Sequence, residues 1–226
     1  MPRPSRAPSP PEAPRLEDEL QGLALGPEAL GGGAGVERAL VTGAELAGVR
    51  ARGVRFTAAR LVDADLSGAR LGGLQLADVA VERGNLANVA APELSLRRVV
   101  VTGARLTGVH WTGGRIVDTM FRDCRIDLAT FAGTTFERAT FDRCLLAQAD
   151  FRDALLRSVR FDQCDLTEAD LAGVRIDRCE LRGCTLDGLA GLERLRGAAM
   201  PWADVLGNAG LLAAALGIRV LDEDER

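Results

Sequence analysis

Beginning at Val41, every fifth residue of this chain is apolar as far as Leu186. The series runs through Phe56, Leu66, Leu96, Trp111, Phe121, Phe141 and Phe161. All 30 positions are apolar in a chain that is 47% hydrophobic, an outcome that random draws would produce about once in 10^10 trials. Two residues before each of these positions runs a second series of mostly small residues, among them Ala44, Val49, Ala59, Ala64, Ala69, Ala129, Ala139 and Ala149. A helix repeats every 3.6 residues and a strand every 2, so a five-residue beat held for about 150 residues drifts off both. A chain that turns a corner every five residues fits it. Each pentapeptide then forms one side of a square, with the large residue and the small one pointing inward and the other three facing out. Four sides close one coil of 20 residues.

Composition agrees with an aliphatic interior. There is no Tyr, and all 7 Phe lie on the large-residue series. All 28 basic residues are Arg, as a GC-rich genome favours, and the formal net charge is −4, so a basic field for direct nucleic-acid binding is lacking.

Three segments, Ala64-Asp65-Leu66-Ser67-Gly68, Ala149-Asp150-Phe151-Arg152-Asp153 and Ala169-Asp170-Leu171-Ala172-Gly173, follow the pattern A-[DN]-L-x-x. They resemble the pentapeptide-repeat family, and the resemblance spans residues 41–190 without a break in register. It implies an all-β solenoid, a right-handed quadrilateral β-helix of about 7.5 coils and, at ~4.8 Å per coil, roughly 36 Å in length. Ala51 and Ala91 are undersized at large positions and Gly84 and Gly114 at small ones, which predicts local narrowing or flexibility.

A 20-residue coil makes ladders. Phe121, Phe141 and Phe161 should stack, as should Trp111, Phe131 and Phe151, so the C-terminal half should be the better packed. Cys124, Cys144, Cys164 and Cys184 share a small slot on one face, with Cys179 on the neighbouring face. A linear ladder does not converge as the four ligands of zinc must, so these read as buried reduced thiols in a core. His110 falls on an outward position with no nucleophile or orienting partner in motif spacing. Trp111 reads as a core filler whose indole N–H needs a partner. Asp65, Asp150, Asp165 and Asp170 read as corner stabilisers. No catalytic, cofactor-binding or metal-binding residue is therefore expected.

Both ends need covering, because an open coil exposes its core and strand edges. Residues 1–14, crowded with Pro, Arg and Ser, read as a disordered tail. Residues 15–40 read as an N-terminal cap and link, with Leu16, Leu20 and Leu23 at roughly helical spacing and glycines at 31–35. Residues 191–220 contain Trp202, Val205, Leu206, Ala209, Leu212, Ala213 and Leu216 at helical intervals between Pro201 and Gly217, which predicts a capping helix. Residues 221–226 form an acidic tail. No apolar stretch suits a signal peptide or a membrane span, so a cytoplasmic protein without membrane contact is expected.

The function these features favour is a non-catalytic scaffold for an unidentified protein partner. The resemblance adds an alternative, because some members of the family mimic duplex DNA and bind DNA gyrase. Such mimicry calls for a strongly negative face, whereas residues 41–190 hold 20 acidic and 20 Arg side chains. The resemblance also raises homodimerisation through the C-terminal helix, for which stripe residues left over after capping, Trp202 or Leu211, would be the contacts.

Overall fold

The computed structural model describes residues 7–220, in which the chain winds as a parallel β-solenoid of about eight turns. Its main sheet passes in order through β5 (Arg55–Val62), β7 (Gln75–Glu82), β8 (Ser95–Thr102), β9 (Arg115–Arg122), β10 (Thr135–Asp142), β11 (Leu155–Asp162) and β12 (Arg175–Arg182). Each strand pairs with the one a coil away in a 20-residue register, as in Phe121↔Phe141 and Phe141↔Phe161. These eight-residue strands cover two sides of the square, the first centred on Phe56, Leu76 and Leu96 and the second on Leu61, Val81 and Val101. The third side, centred on Leu66 and Leu86, and the fourth, centred on Leu71 and Trp111, are held by single bridges such as Asp65↔Asn85 and Ala90↔His110. Only β4 (Arg50–Arg52) and β6 (Arg70–Gly72) pair as strands on the fourth side.

Every fifth residue from Arg38 to Gly188 has a positive φ, between 50° and 73°. These left-handed residues are the corners. Glycine takes that conformation without the roughly 1–2 kcal/mol penalty of an L side chain. At the third and fourth corners it is frequent, and there an N–H bonds the carbonyl three residues back, as in Ala69 to Leu66 at 3.0 Å, around Gly68. At the first corner the residues are Arg38, Ala58, Asp78, Arg98, Asp118, Arg138, Ser158 and Arg178, and none is glycine.

The core follows the five-residue beat. Phe121, Phe141 and Phe161 stack with centroids 4.9 and 5.0 Å apart and planes 9° and 4° from parallel. Phe131 and Phe151 also stack, at 5.1 Å, while Trp111 meets Phe131 edge-on at 69° and does not extend that stack. Its indole Nε1 is the one buried side-chain nitrogen or oxygen among the described residues without a partner. The slots at Gly84 and Gly114 are filled, contrary to the narrowing expected there. A Cβ on Gly114 would lie 3.0 Å from the carbonyl oxygen of Leu94, whose large side chain on the coil before takes up the space.

The ends depart from the sequence expectation. The coil begins at β2 (Gly35–Glu37), one side before Val41, with Val36 already buried. The cap before it is not helical at Leu16 to Leu23. That stretch contains β1 (Gln21–Gly22), which adds to β3 (Ala39–Thr42), and the cap core comes from Leu25 and from Leu30 in a 3-10 segment, Pro27–Gly33. At the other end the expected single helix is two, α1 (Trp202–Gly207) and α2 (Ala209–Ala215), broken at Asn208, which follows Gly207 at φ −107°. The final coil is closed mainly by residues 192–200. Leu195 is buried, and Ala199 takes a rung of the ladder by bonding Cys179 O and Leu181 N at 2.9 and 3.0 Å. From the helices only Leu211 packs on the core. The expected acidic tail lies outside the described residues, as do residues 1–6 of the expected disordered tail.

Candidate interaction surface

Where each side of the rod is free follows from what its outward residues touch. The cysteine ladder is closed off. Cys124, Cys144, Cys164 and Cys184 are all buried, and each thiol donates to main-chain carbonyls, as Cys124 Sγ does to Arg122 O at 3.2 Å. Burial pushes the Cys179 thiol up to about 12, so it stays protonated near neutrality. His110 is exposed on the fourth side, and no group of three or more His, Cys, Asp or Glu residues placed to hold a metal exists among the described residues. Asp65, Asp150, Asp165 and Asp170 each accept the N–H two residues on, at 2.8–3.0 Å, which is the corner-bracing role expected of them.

The fourth side carries an open groove near the N-terminal end, about 890 Å³ in volume. It lies where the undersized Ala51 meets Gly68 and Gly72, and Arg50, Arg52 and Arg70 line it. No carboxylate lines it, and none of the three guanidinium groups forms an ion pair among the described residues. Farther along the same side come Glu93 and then Asp150, Asp153 and Asp170 against the single Arg152, so the arginine surplus near the N-terminal end gives way to a carboxylate surplus. The third side sets Arg105 and Arg125 against Glu45, Asp65, Asp127, Asp165, Glu168 and Asp187. Near the C-terminal end, Trp202, Leu206, Leu216, Ile218 and Val220 are exposed.

The first corner is covered by the chain itself. Residues 7–14, read from sequence as disordered, lie along the rod, held by the N–H groups of Glu12 and of Arg15 just beyond them. Glu12 N donates to Asp118 Oδ1 at 3.2 Å and Arg15 N to Asp78 Oδ1 at 2.9 Å, while Glu17 pairs with Arg38 at 3.1 Å. Beneath this strap Arg98 grips Asp78 with two bonds of 2.6 and 2.5 Å, and Arg138 grips Asp118 with two of 2.6 and 2.9 Å. The Arg98 guanidinium holds Asp78 below the usual carboxylate range, and Arg138 does the same for Asp118. In both, burial opposes the shift and the strap N–H assists it. No sequence motif announced this surface. The available signal was the absence of glycine from the first corner, where eight left-handed residues all carry side chains.

Two models of one family match the chain. One, described as pentapeptide repeats in 8 copies, matches residues 37–73, and the other, a pentapeptide repeat region, matches residues 115–190; together they span half of it. No curated protein matches. Among solved structures the chain is similar to a trypsin-treated variant of QnrB1, a plasmid-mediated fluoroquinolone resistance protein, at 16% identity over 89% of this chain and 98% of that one, with a TM-score of 0.40. It is also similar to HetL, a pentapeptide repeat protein involved in heterocyst differentiation regulation from the cyanobacterium Nostoc sp. strain PCC 7120. There the identity is 18% over 74% of this chain and 90% of that one, with a TM-score of 0.36.

Proposed function

We propose that this chain, which belongs to the pentapeptide-repeat family, is a non-catalytic scaffold that holds a protein partner against its fourth side. The observation that carries this reading is the groove of Arg50, Arg52 and Arg70. Among the described residues these guanidinium groups have no carboxylate partner, and the first corner, which does not border this side, is already covered. An acidic surface on the partner completes them, chiefly by steering and orienting it. No helix among the described residues is long and apolar enough to cross a membrane, and the reading needs neither a membrane nor nucleic acid. Affinity capture from the native lysate tests it. The wild-type rod should retain a partner that R50E/R52E/R70E releases, and equal capture by both would overturn the fourth side as the docking face.

The second reading, a duplex mimic acting on DNA gyrase or another topoisomerase, has only the third side to draw on. Six carboxylates against two guanidinium groups over eight coils is a sparse charge beside a duplex that carries one per ~1.7 Å. Inhibition of supercoiling by the purified rod would promote it. We also propose a homodimer through the C-terminal helices. Trp202 is 74% exposed and available for it, whereas Leu211 packs partly against its own core, so W202A should shift the sedimentation of a dimer toward monomer.

A further inference from the structure

We propose that the first corner is a docking groove for extended proline-rich peptides, occupied in cis by the chain's own residues 8–16. The claim deepens the scaffold reading by naming a partner class for a second surface, and it rests on that reading only in treating the rod as a binder.

The geometry is a match of two repeats. A proline-rich extended segment advances about 3.1 Å per residue, so three residues cover about 9.3 Å. Two coils advance about 9.6 Å. Glu12 and Arg15 are three apart, and the carboxylates that receive their N–H groups, Asp118 and Asp78, are two coils apart. Pro10, Pro11 and Pro14 remove competing donors and fix φ, so the segment loses little conformational entropy on docking. The groove thus takes two main-chain N–H groups three residues apart, and Arg38 pairs with an acidic residue, Glu17, two residues beyond the second donor.

The second corner shows that the pairs alone do not make the groove. Asp63–Arg83 and Asp123–Arg143 repeat the same chemistry at the same 20-residue step, yet stay exposed, with none of the described residues laid over them. The first corner differs in holding its four alternating charges on consecutive coils, Asp78, Arg98, Asp118 and Arg138. Each carboxylate is fixed by its arginine with a lone pair left for a peptide N–H. A ligand in trans would be an extended segment of a partner protein with free N–H groups three residues apart, prolines between or beside them, and an acidic residue toward its C-terminal end.

The full-length variant E12P/R15P removes both strap donors and leaves the groove untouched. A fluorescent peptide of residues 7–18 should bind this variant saturably and at least about tenfold more tightly than wild type, in which the tethered strap competes at millimolar effective concentration. Adding Asp118→Asn to the variant should abolish that binding. No binding to E12P/R15P, or equal binding to it and wild type, overturns the groove. Partner capture through the fourth side by E12P/R15P, unchanged from wild type, would in that event leave the scaffold reading standing.

Discussion

The first and second corners of the rod carry the same aspartate–arginine pairs and live in different solvents. At the first, Asp78 and Arg98 have side chains 12% and 10% exposed; at the second, Asp63 and Arg83 are 51% and 60% exposed at nearly equal bond lengths. The difference is one strand of chain, and it teaches that pairing geometry says little about energy until burial is known. An exposed pair is screened by water, whereas a buried pair leaves an uncompensated charge when one partner is removed.

The largest effect should come from a change that destroys both corners together. Phe141→Asp places a charge between Phe121 and Phe161 in the stacked core and should abolish the cooperative melting transition. A retained transition would show that the inward register is wrong. Truncation after Gly197 removes Ala199, the last rung on Cys179 and Leu181, and should cause aggregation from the C-terminal end. An unchanged melt and sedimentation profile would remove the capping role of residues 198–200.

Asp118→Asn addresses the comparison itself. It leaves Arg138 beneath the strap with Glu137, at 2.6 Å, still paired to it, and should cost about 1.5–3 kcal/mol for the charged hydrogen bonds lost from Asp118. Acid should reach the same end by titration. Asp78 and Asp118 are depressed in the folded rod, so their contribution is present above the ordinary carboxylate pKa and is lost as pH falls through their lowered values. Melting followed downward from neutral pH should therefore lose stability only below about pH 4 on this account. Asp118→Asn should flatten that acid limb. The smallest effect should be Asp123→Asn, whose exposed pair with Arg143 should leave the midpoint unchanged. If the first- and second-corner variants shift it equally, burial under the strap is not what separates the corners.

Sequence made the interior legible because every inward slot constrains side-chain size, so Phe141 and Cys144 could be placed from the chain alone. The corners were less legible. Their left-handed backbone is imposed by closing the square, and glycine marks it at only twelve of thirty-one positions while Arg, Asp and Gln occupy others. The strap was illegible for a different reason. Its contacts are main-chain N–H groups, which leave no trace in residue type, and its proline content reads as disorder when the matching ladder of Asp78 and Asp118 is not in view. Leu25 and Leu30, not the helically spaced Leu16, Leu20 and Leu23, form the N-terminal cap, because local spacing cannot say which leucines meet the open coil.

Amide hydrogen exchange at Glu12 and Arg15 in the native full-length protein tests the docked strap most directly. Both amides should exchange at least about tenfold more slowly than in the free peptide of residues 7–18. Protection of Glu12 should be lost in Asp118→Asn and kept in Asp123→Asn. Exchange of both amides at free-peptide rates in the wild-type protein would contradict the account.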